Sequence, residues 1–374
     1  MKNLALSLVS IIVAILAGEY ALRPLYPLPD PTAEIPLEIP CDNCGYVYGL
    51  NPAHPEISAQ GLRDRLFRIP KPDGVFRILV LGDSVTYGTE VAQEHTYPKQ
   101  LEDLLRKKGF QVEVINAGVK AYTPFNEYFF LQERGLEFHP DLVLIGFCLN
   151  DVVDPLPHWR THTEKITVPR AAIPDLEFHD RVIAPRFAYE DFRDRFAILC
   201  SWGALLRASL FPIAERLVRF PKAQEGAYRE VNGKEWPVYL TLEYAKKIDV
   251  LMDEESPEWI WLRQMYRDMI KVGPPVVPVV FPLAYQLDPG YPYLPQTHWA
   301  RFCSEEKLDC IDPLPHWRQK DFFLRERSGY DDIWHLNEQG HLSAASLLAE
   351  FVEMHFSLPR NVGGMEVLTV SSEE

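Results

Sequence analysis

Residues 75–84 read VFRILVLGDS. The first seven are apolar apart from Arg77, and Gly82 closes the run. A short continuous apolar run ending on glycine suggests a strand buried on both faces, as parallel sheets require. The pattern continues downstream. Residues 97–108 place Leu101, Leu104 and Leu105 at helical spacing and stop at Gly109. Residues 111–115 form a β-rich run that ends in Asn116-Ala117-Gly118. A helix is expected over 126–135, and Pro140 precedes a third strand at 141–147 (DLVLIGF). Strand, helix, strand, helix, strand with short connections means a parallel α/β sheet with right-handed crossovers.

The alternation lapses over 152–255, which reads as a large insertion into one domain spanning 75–356. Within it, 196–211 is amphipathic and interrupted by Arg207. It reads as a cap helix packed on the domain, or as a lid or membrane-surface helix. The pattern resumes at Ser256, an N-cap followed by Pro257 at the first helical position, with Gly273-Pro274 as the stop. A strand at 276–281, a helix at 298–308, a short strand at 310–311 and a last helix at 337–356 complete the order. Residues 23–74, rich in proline, read as a linker and irregular lead-in, and 357–374 as a loose tail. The heptapeptide DPLPHWR occurs at 154–160 and again at 312–318. Both copies follow predicted strands, which makes His158 and His316 candidates for the rim of a site.

At the N-terminus Lys2 precedes an uncharged apolar run, 4–18, closed by Glu19. The run is shorter than the ~20 residues of a straight spanning helix, but a helix reaching Leu22 would cross. Residues 1–22 are therefore expected to be a single-pass signal anchor or, alternatively, a cleaved signal peptide. Lys2 on the cytoplasmic side puts the remainder outside, in the cell envelope. Six cysteines fit that oxidising compartment. Cys41/Cys44 and Cys303/Cys310 are candidate disulfide pairs or, less readily, a zinc site, and Cys148 and Cys200 read as core residues.

The chain has 374 residues, 53 Asp plus Glu against 38 Lys plus Arg, and a net charge of −15. That balance excludes nucleic acid and electrostatic adhesion to anionic lipid as partners. No phosphate loop, dinucleotide fingerprint or H-E-x-x-H is present, so neither cofactor nor metal is expected. G-x-S-x-G is missing too, which disfavours an α/β-hydrolase elbow.

In an open parallel sheet, ligands bind beyond the carboxyl ends of the strands, where strand order reverses. Those ends carry Gly82-Asp83-Ser84, Asn116-Ala117-Gly118 and Asn150-Asp151, and Asp332-Ile333-Trp334-His335 precedes the last helix. Their chemistry is complementary. A serine hydroxyl needs an adjacent base, which His335 supplies. The base needs a carboxylate to fix its tautomer, and Asp332 is better spaced for this than Asp331. A tetrahedral intermediate needs donors, available from the Ser84 and Gly118 amides and the Asn150 side chain. Asp83, Gly88, Asp151 and His341 read as braces, turn formers or packing.

Gly82-Asp83-Ser84, Gly118, Asn150-Asp151 and Asp332-x-x-His335 resemble the four blocks of the SGNH (GDSL-type) hydrolases, in the family's order, with NAGV at 116–119 and HLNEQGH at 335–341 in support. The resemblance covers 75–151 and 256–356. It implies a flavodoxin-like three-layer α/β/α sandwich, here with a mostly parallel five-stranded sheet. It also implies Ser84 as nucleophile, a Ser84–His335–Asp332 triad, and an oxyanion hole from Ser84, Gly118 and Asn150. Two positions depart from the family pattern: Cys148 replaces a common glycine and Val85 a common leucine. The expected activity is hydrolysis of a small acyl ester, such as an O-acetyl group on a glycan. Acyl transfer to a sugar hydroxyl would use the same triad, and a surface binding module without turnover would keep the fold.

Overall fold

The computed structural model describes residues 35–41, 44–149, 151, 228–231, 234–237, 254–287, 294–318, 320, 322–323 and 334–360. The expected sites Asn150, His158 and Asp332, the apolar run 4–18 and the helix expected at 196–211 lie outside them. The chain divides into two compact units. One comprises residues 1–36 and 169–243; its described part includes an antiparallel hairpin inside the expected insertion. The other, 37–168 with 244–374, carries the α/β pattern.

In chain order the strands are β1 (Glu38–Pro40), β2 (Tyr48–Leu50), β3 (Phe76–Gly82), β4 (Val112–Asn116), β5 (Leu142–Cys148), the hairpin β6 (Tyr228–Val231) and β7 (Lys234–Pro237), and β8 (Val276–Phe281). The helices are α1 (Ser84–Tyr87), α2 (Tyr97–Lys107), α3 (Pro124–Glu133), α4 (Pro257–Ile270), α5 (Leu294–Glu306), α6 (Leu314–Trp317) and α7 (Glu338–His355). The central sheet runs β4-β3-β5-β8, with every neighbouring pair parallel. The first crossover leads from β3 outward to β4 and the next returns past β3 to β5. The switch point therefore lies at the carboxyl end of β3, where Ser84 follows. Helices α2 and α7 pack together, as do α3 and α4, giving the α/β/α sandwich.

The expected fifth strand is reduced. Ile311 makes a single parallel bridge to Val279, because Asp312-Pro313 turns the chain into α6 at once. Among the described residues the sheet thus has four strands and one bridging residue.

Burial explains the continuous apolar runs. Ile78, Leu79, Val80 and Leu81 are fully buried, as are residues 142–145 of β5. Arg77 is equally buried, opposite Glu113 in the β3–β4 register. Its Nε donates to Glu113 Oε2 at 2.9 Å and its Nη1 to the Phe138 carbonyl at 2.7 Å. A buried guanidinium is tolerated because its charge is paired and its donors are engaged.

The lead-in is not a linker from residue 37 onward. β1 pairs with β2, and Tyr46, Tyr48, Leu50, Leu62 and Phe67 are core residues. The Asn126 side chain donates to the Tyr46 carbonyl at 2.9 Å, and the Tyr122 hydroxyl donates to the Tyr48 carbonyl at 2.5 Å. The tail is likewise docked as far as Arg360, since the Gln111 amide donates to the Pro359 carbonyl at 2.8 Å. Both expected cysteine pairs, Cys41–Cys44 and Cys303–Cys310, are disulfides, and Cys148 is buried and belongs to neither. No group of three or more metal-ligating side chains occurs among the described residues. No helix among them is long and apolar enough to cross a membrane.

Glu127, in the first turn of α3, is fully buried, and neither carboxyl oxygen has a hydrogen-bond partner among the described residues. Burial, reinforced by the Asp83 carboxylate, holds its pKa well above the ordinary 4.5. The unfolded chain releases this proton above pH 4.5 while the folded chain keeps it, so stability falls as pH rises from there. Glu127→Gln should remove that slope. Thermal melts are expected to match the wild type near pH 4 and to show a more stable variant at about pH 8, the gap opening by up to roughly 1.4 kcal/mol per pH unit.

Candidate active site

β3 delivers the chain to Gly82, whose φ of 150° suits glycine. A Cβ there would fall 2.1 Å from Thr86 Oγ1, and one on Gly146 would fall 2.4 Å from the same atom. The two glycines, paired across β3 and β5, clear the space in which Thr86 Oγ1 meets the Tyr97 hydroxyl at 2.8 Å. The next turn is α1, which begins with Ser84 itself. Asp83 is its N-cap and accepts from the Val85 amide at 2.8 Å. The brace expected of Asp83 is what the structure shows. Gly88 ends the helix in the left-handed region, its amide donating to the Ser84 carbonyl at 3.1 Å.

His335 Nε2 lies 2.9 Å from Ser84 Oγ, across 251 positions of sequence. Both side chains are half-buried. The segment 335–341 accounts for this meeting residue by residue. Leu336 is fully buried and bridges Phe323. Asn337 caps α7, accepting from the Gly340 amide at 2.9 Å. A Cβ on Gly340 would come 2.3 Å from the Phe322 carbonyl oxygen, so the close approach requires glycine. His341 Nδ1 accepts from the Tyr97 amide at 3.1 Å. That amide opens α2, and no side chain of the N-cap Thr96 serves the helix end, so His341 satisfies one of its orphan donors. Tyr97 thereby touches both sides of the Ser84–His335 contact: its hydroxyl reaches Thr86 of α1 and its amide reaches His341 of α7.

The other expected residues divide. Ser84 heads α1, so its amide has no partner within that helix. Gly118 follows β4, and a Cβ there would meet the Tyr87 amide nitrogen at 2.3 Å. Only glycine allows this loop to lie so close against α1. The Gly118 amide donates to Asn116 Oδ1 at 3.0 Å, so an oxyanion would share or displace that bond. Asp151 accepts from the Cys148 amide at 3.1 Å, a brace at the end of β5. The second DPLPHWR copy forms α6: Trp317 is buried against Phe281 with Nε1 donating to Ser343 Oγ at 2.9 Å, while His316 is exposed. Packing of Trp317 against Phe281 accounts for the fold of this copy.

Two residues missing from the sequence reading reach the site from the lead-in. Arg63 donates to the carbonyls of Tyr87, the last residue of α1, and of Gly88 and Val91 just beyond it. Asp64 Oδ2 accepts from the Asn116 amide at 2.9 Å, at the end of β4. The available signal was the charged tripeptide Arg63-Asp64-Arg65 set between Leu62 and Leu66.

The chain matches the GDSL-like lipase/acylhydrolase family over residues 80–342, well over half its length, and belongs to that family. An arylesterase of Vibrio mimicus is 36% identical over 81 residues, which are 22% of this chain and 40% of that protein; the match thus spans less than half of the relative's length. Among solved structures, a lipase/acylhydrolase from Enterococcus faecalis is similar with a TM-score of 0.39 and 15% identity, covering 76% of this chain and 98% of that one. A two-domain esterase active on acetylated mannans has a TM-score of 0.37 and 14% identity, covering 75% of this chain and 49% of that one.

Burial pushes the His341 pKa from 6.5 down to about 3, with the nearby His335 and Arg63 adding to the effect. His341 is therefore neutral in the folded protein. The unfolded chain takes up a proton below pH 6.5 and the folded chain does not. Stability from this residue is present above pH 6.5 and is lost as pH falls toward 3. Wild type is expected to lose stability more steeply than His341→Asn between about pH 6.5 and 4, by up to roughly 1.4 kcal/mol per unit. Parallel acid limbs in urea melts of the two proteins would contradict this.

Proposed function

We propose that this chain is a serine esterase acting on small acyl esters. The Ser84–His335 contact at 2.9 Å carries this reading. It is the separation at which a histidine serves as general base to a hydroxyl. Ser84 Oγ attacks the acyl carbon while His335 Nε2 takes the hydroxyl proton. The tetrahedral intermediate collapses, the ester C–O bond breaks, and the same proton passes to the leaving alcohol. Water then attacks the acyl-enzyme by the reverse path, releasing the acid and restoring Ser84. Asp332 holds the imidazole, a role supported by its spacing of three residues from His335. The Ser84 and Gly118 amides and the Asn150 side chain are assigned to the oxyanion. The substrate we assign is a short acyl group, an O-acetyl on a glycan being the first to test.

We further assign the enzyme to the extracytoplasmic face of the cell envelope, anchored through residues 1–22. The apolar run after Lys2 and the pairs Cys41–Cys44 and Cys303–Cys310 support that assignment.

The test is turnover of p-nitrophenyl esters from acetate to laurate. Acetate is expected to be the best substrate, and Ser84→Ala should lose at least about 1000-fold in kcat. Asp332→Ala should fall at least tenfold further than Asp331→Ala if the carboxylate is assigned correctly. Turnover retained in Ser84→Ala, or absent from the wild type on every ester, would contradict the reading.

A further inference from the structure

Helix α1 has four residues. A helix this short cannot sustain itself, because nucleation costs more than one turn of bonds returns. Its orientation, and with it the direction of Ser84 Oγ, is imposed from outside. At the N-terminal side the Asp83 cap and the Thr86–Tyr97 contact do this. At the C-terminal side the carbonyls of the last turn and the loop after it need donors, and one side chain serves three of them.

Arg63 Nη1 donates to the carbonyls of Tyr87 at 2.9 Å and Gly88 at 2.7 Å, and Nη2 to the carbonyl of Val91 at 2.9 Å. The residue is 8% exposed, and its guanidinium lies 4.6 Å from the centre of the Tyr87 ring. Glu56, 3.6 Å from Nε, balances the charge. All three of these hydrogen bonds go to backbone oxygens of one segment, 87–91. A planar fork fixes several acceptors in a set geometry, which an ammonium does not. Arg65, two residues on, makes a different attachment: its two terminal nitrogens pair with Glu102 of α2 at 2.8 and 2.7 Å.

We propose that Arg63 is a positioning residue for the nucleophile, locking the short helix from its C-terminal side so that Ser84 Oγ stays aimed at His335 Nε2. This rests on the reading of Ser84 as the nucleophile. A displacement of ~1 Å at a reacting atom costs on the order of 100-fold in rate, so the expected signature is a loss in kcat with KM little changed.

The full chain and its Arg63→Ala, Arg63→Lys, Arg65→Ala and Ser84→Ala variants would be compared on p-nitrophenyl acetate, with melting temperatures measured in parallel. Arg63→Ala is expected to lose about 30- to 100-fold in kcat, with KM within about threefold of wild type. Millimolar guanidinium should restore several-fold of that loss, and sodium chloride at equal concentration none. Arg63→Lys should fall between, since it keeps the charge and loses the fork. Arg65→Ala should lose stability yet keep kcat within about threefold. The proposal is overturned if Arg63→Ala loses no more kcat than Arg65→Ala, or loses only KM. Should Arg63→Ala fail to fold, Arg63→Lys is judged against Arg65→Ala by the same criterion. An active wild type silenced by Ser84→Ala but indifferent at Arg63 sinks this inference alone. An inactive wild type sinks it together with the esterase reading.

Discussion

A hydroxyl oxygen and an imidazole nitrogen 2.9 Å apart, from opposite ends of the α/β pattern, set the demands that the rest of the fold meets. Neither side chain belongs to a long rigid element. Ser84 opens a single helical turn, and His335 precedes α7 by three residues. The contact therefore depends on how each short segment is fastened to the sheet and to the helices around it. For His335, the fastening is the run Leu336, Asn337, Gly340 and His341: a buried side chain, a cap, a close approach and an acceptor for α2. For Ser84 it is the pair of glycines in β3 and β5 that admit Thr86 and Tyr97, together with the Asp83 cap.

Polar groups buried around this contact serve two ends. Arg77–Glu113, the Asp64–Asn116 bond and the His341–Tyr97 bond tie secondary elements together where apolar packing alone would leave orientation free. Each has a charge or a donor satisfied by a named partner, as burial demands. Glu127 is an exception, an acid kept neutral with no hydrogen-bond partner for its carboxyl oxygens among the described residues. Its opposite pH response to that of His341 places the two residues' best-tolerated range between their ordinary pKa values of 4.5 and 6.5.

Much of this was legible in the sequence. The runs 75–81, 141–147 and 276–281 are buried on both faces, so their apolar character is continuous and their strands were placed within a residue. Gly82-Asp83-Ser84 and His335 follow from chemistry that few other residue types perform. What escaped has a common cause. Residues 37–74 act through scattered core side chains and isolated polar contacts to distant segments, and these leave no periodicity to read. Arg77 looked like an interruption of a strand until Glu113 appeared opposite it in register. The strand expected at 310–311 was cut to one bridge by the turn that Asp312-Pro313 begins, a tertiary outcome that local propensity does not encode.

The central claim is that Ser84 is a nucleophile activated by His335. Its most direct test is the reaction of the full chain with a p-nitrophenyl phosphonate, followed by intact-mass measurement and peptide mapping. The account predicts one adduct per chain, on Ser84, absent from Ser84→Ala and formed far more slowly in His335→Ala. An adduct on another residue, or labelling of Ser84 at an undiminished rate without His335, would contradict it.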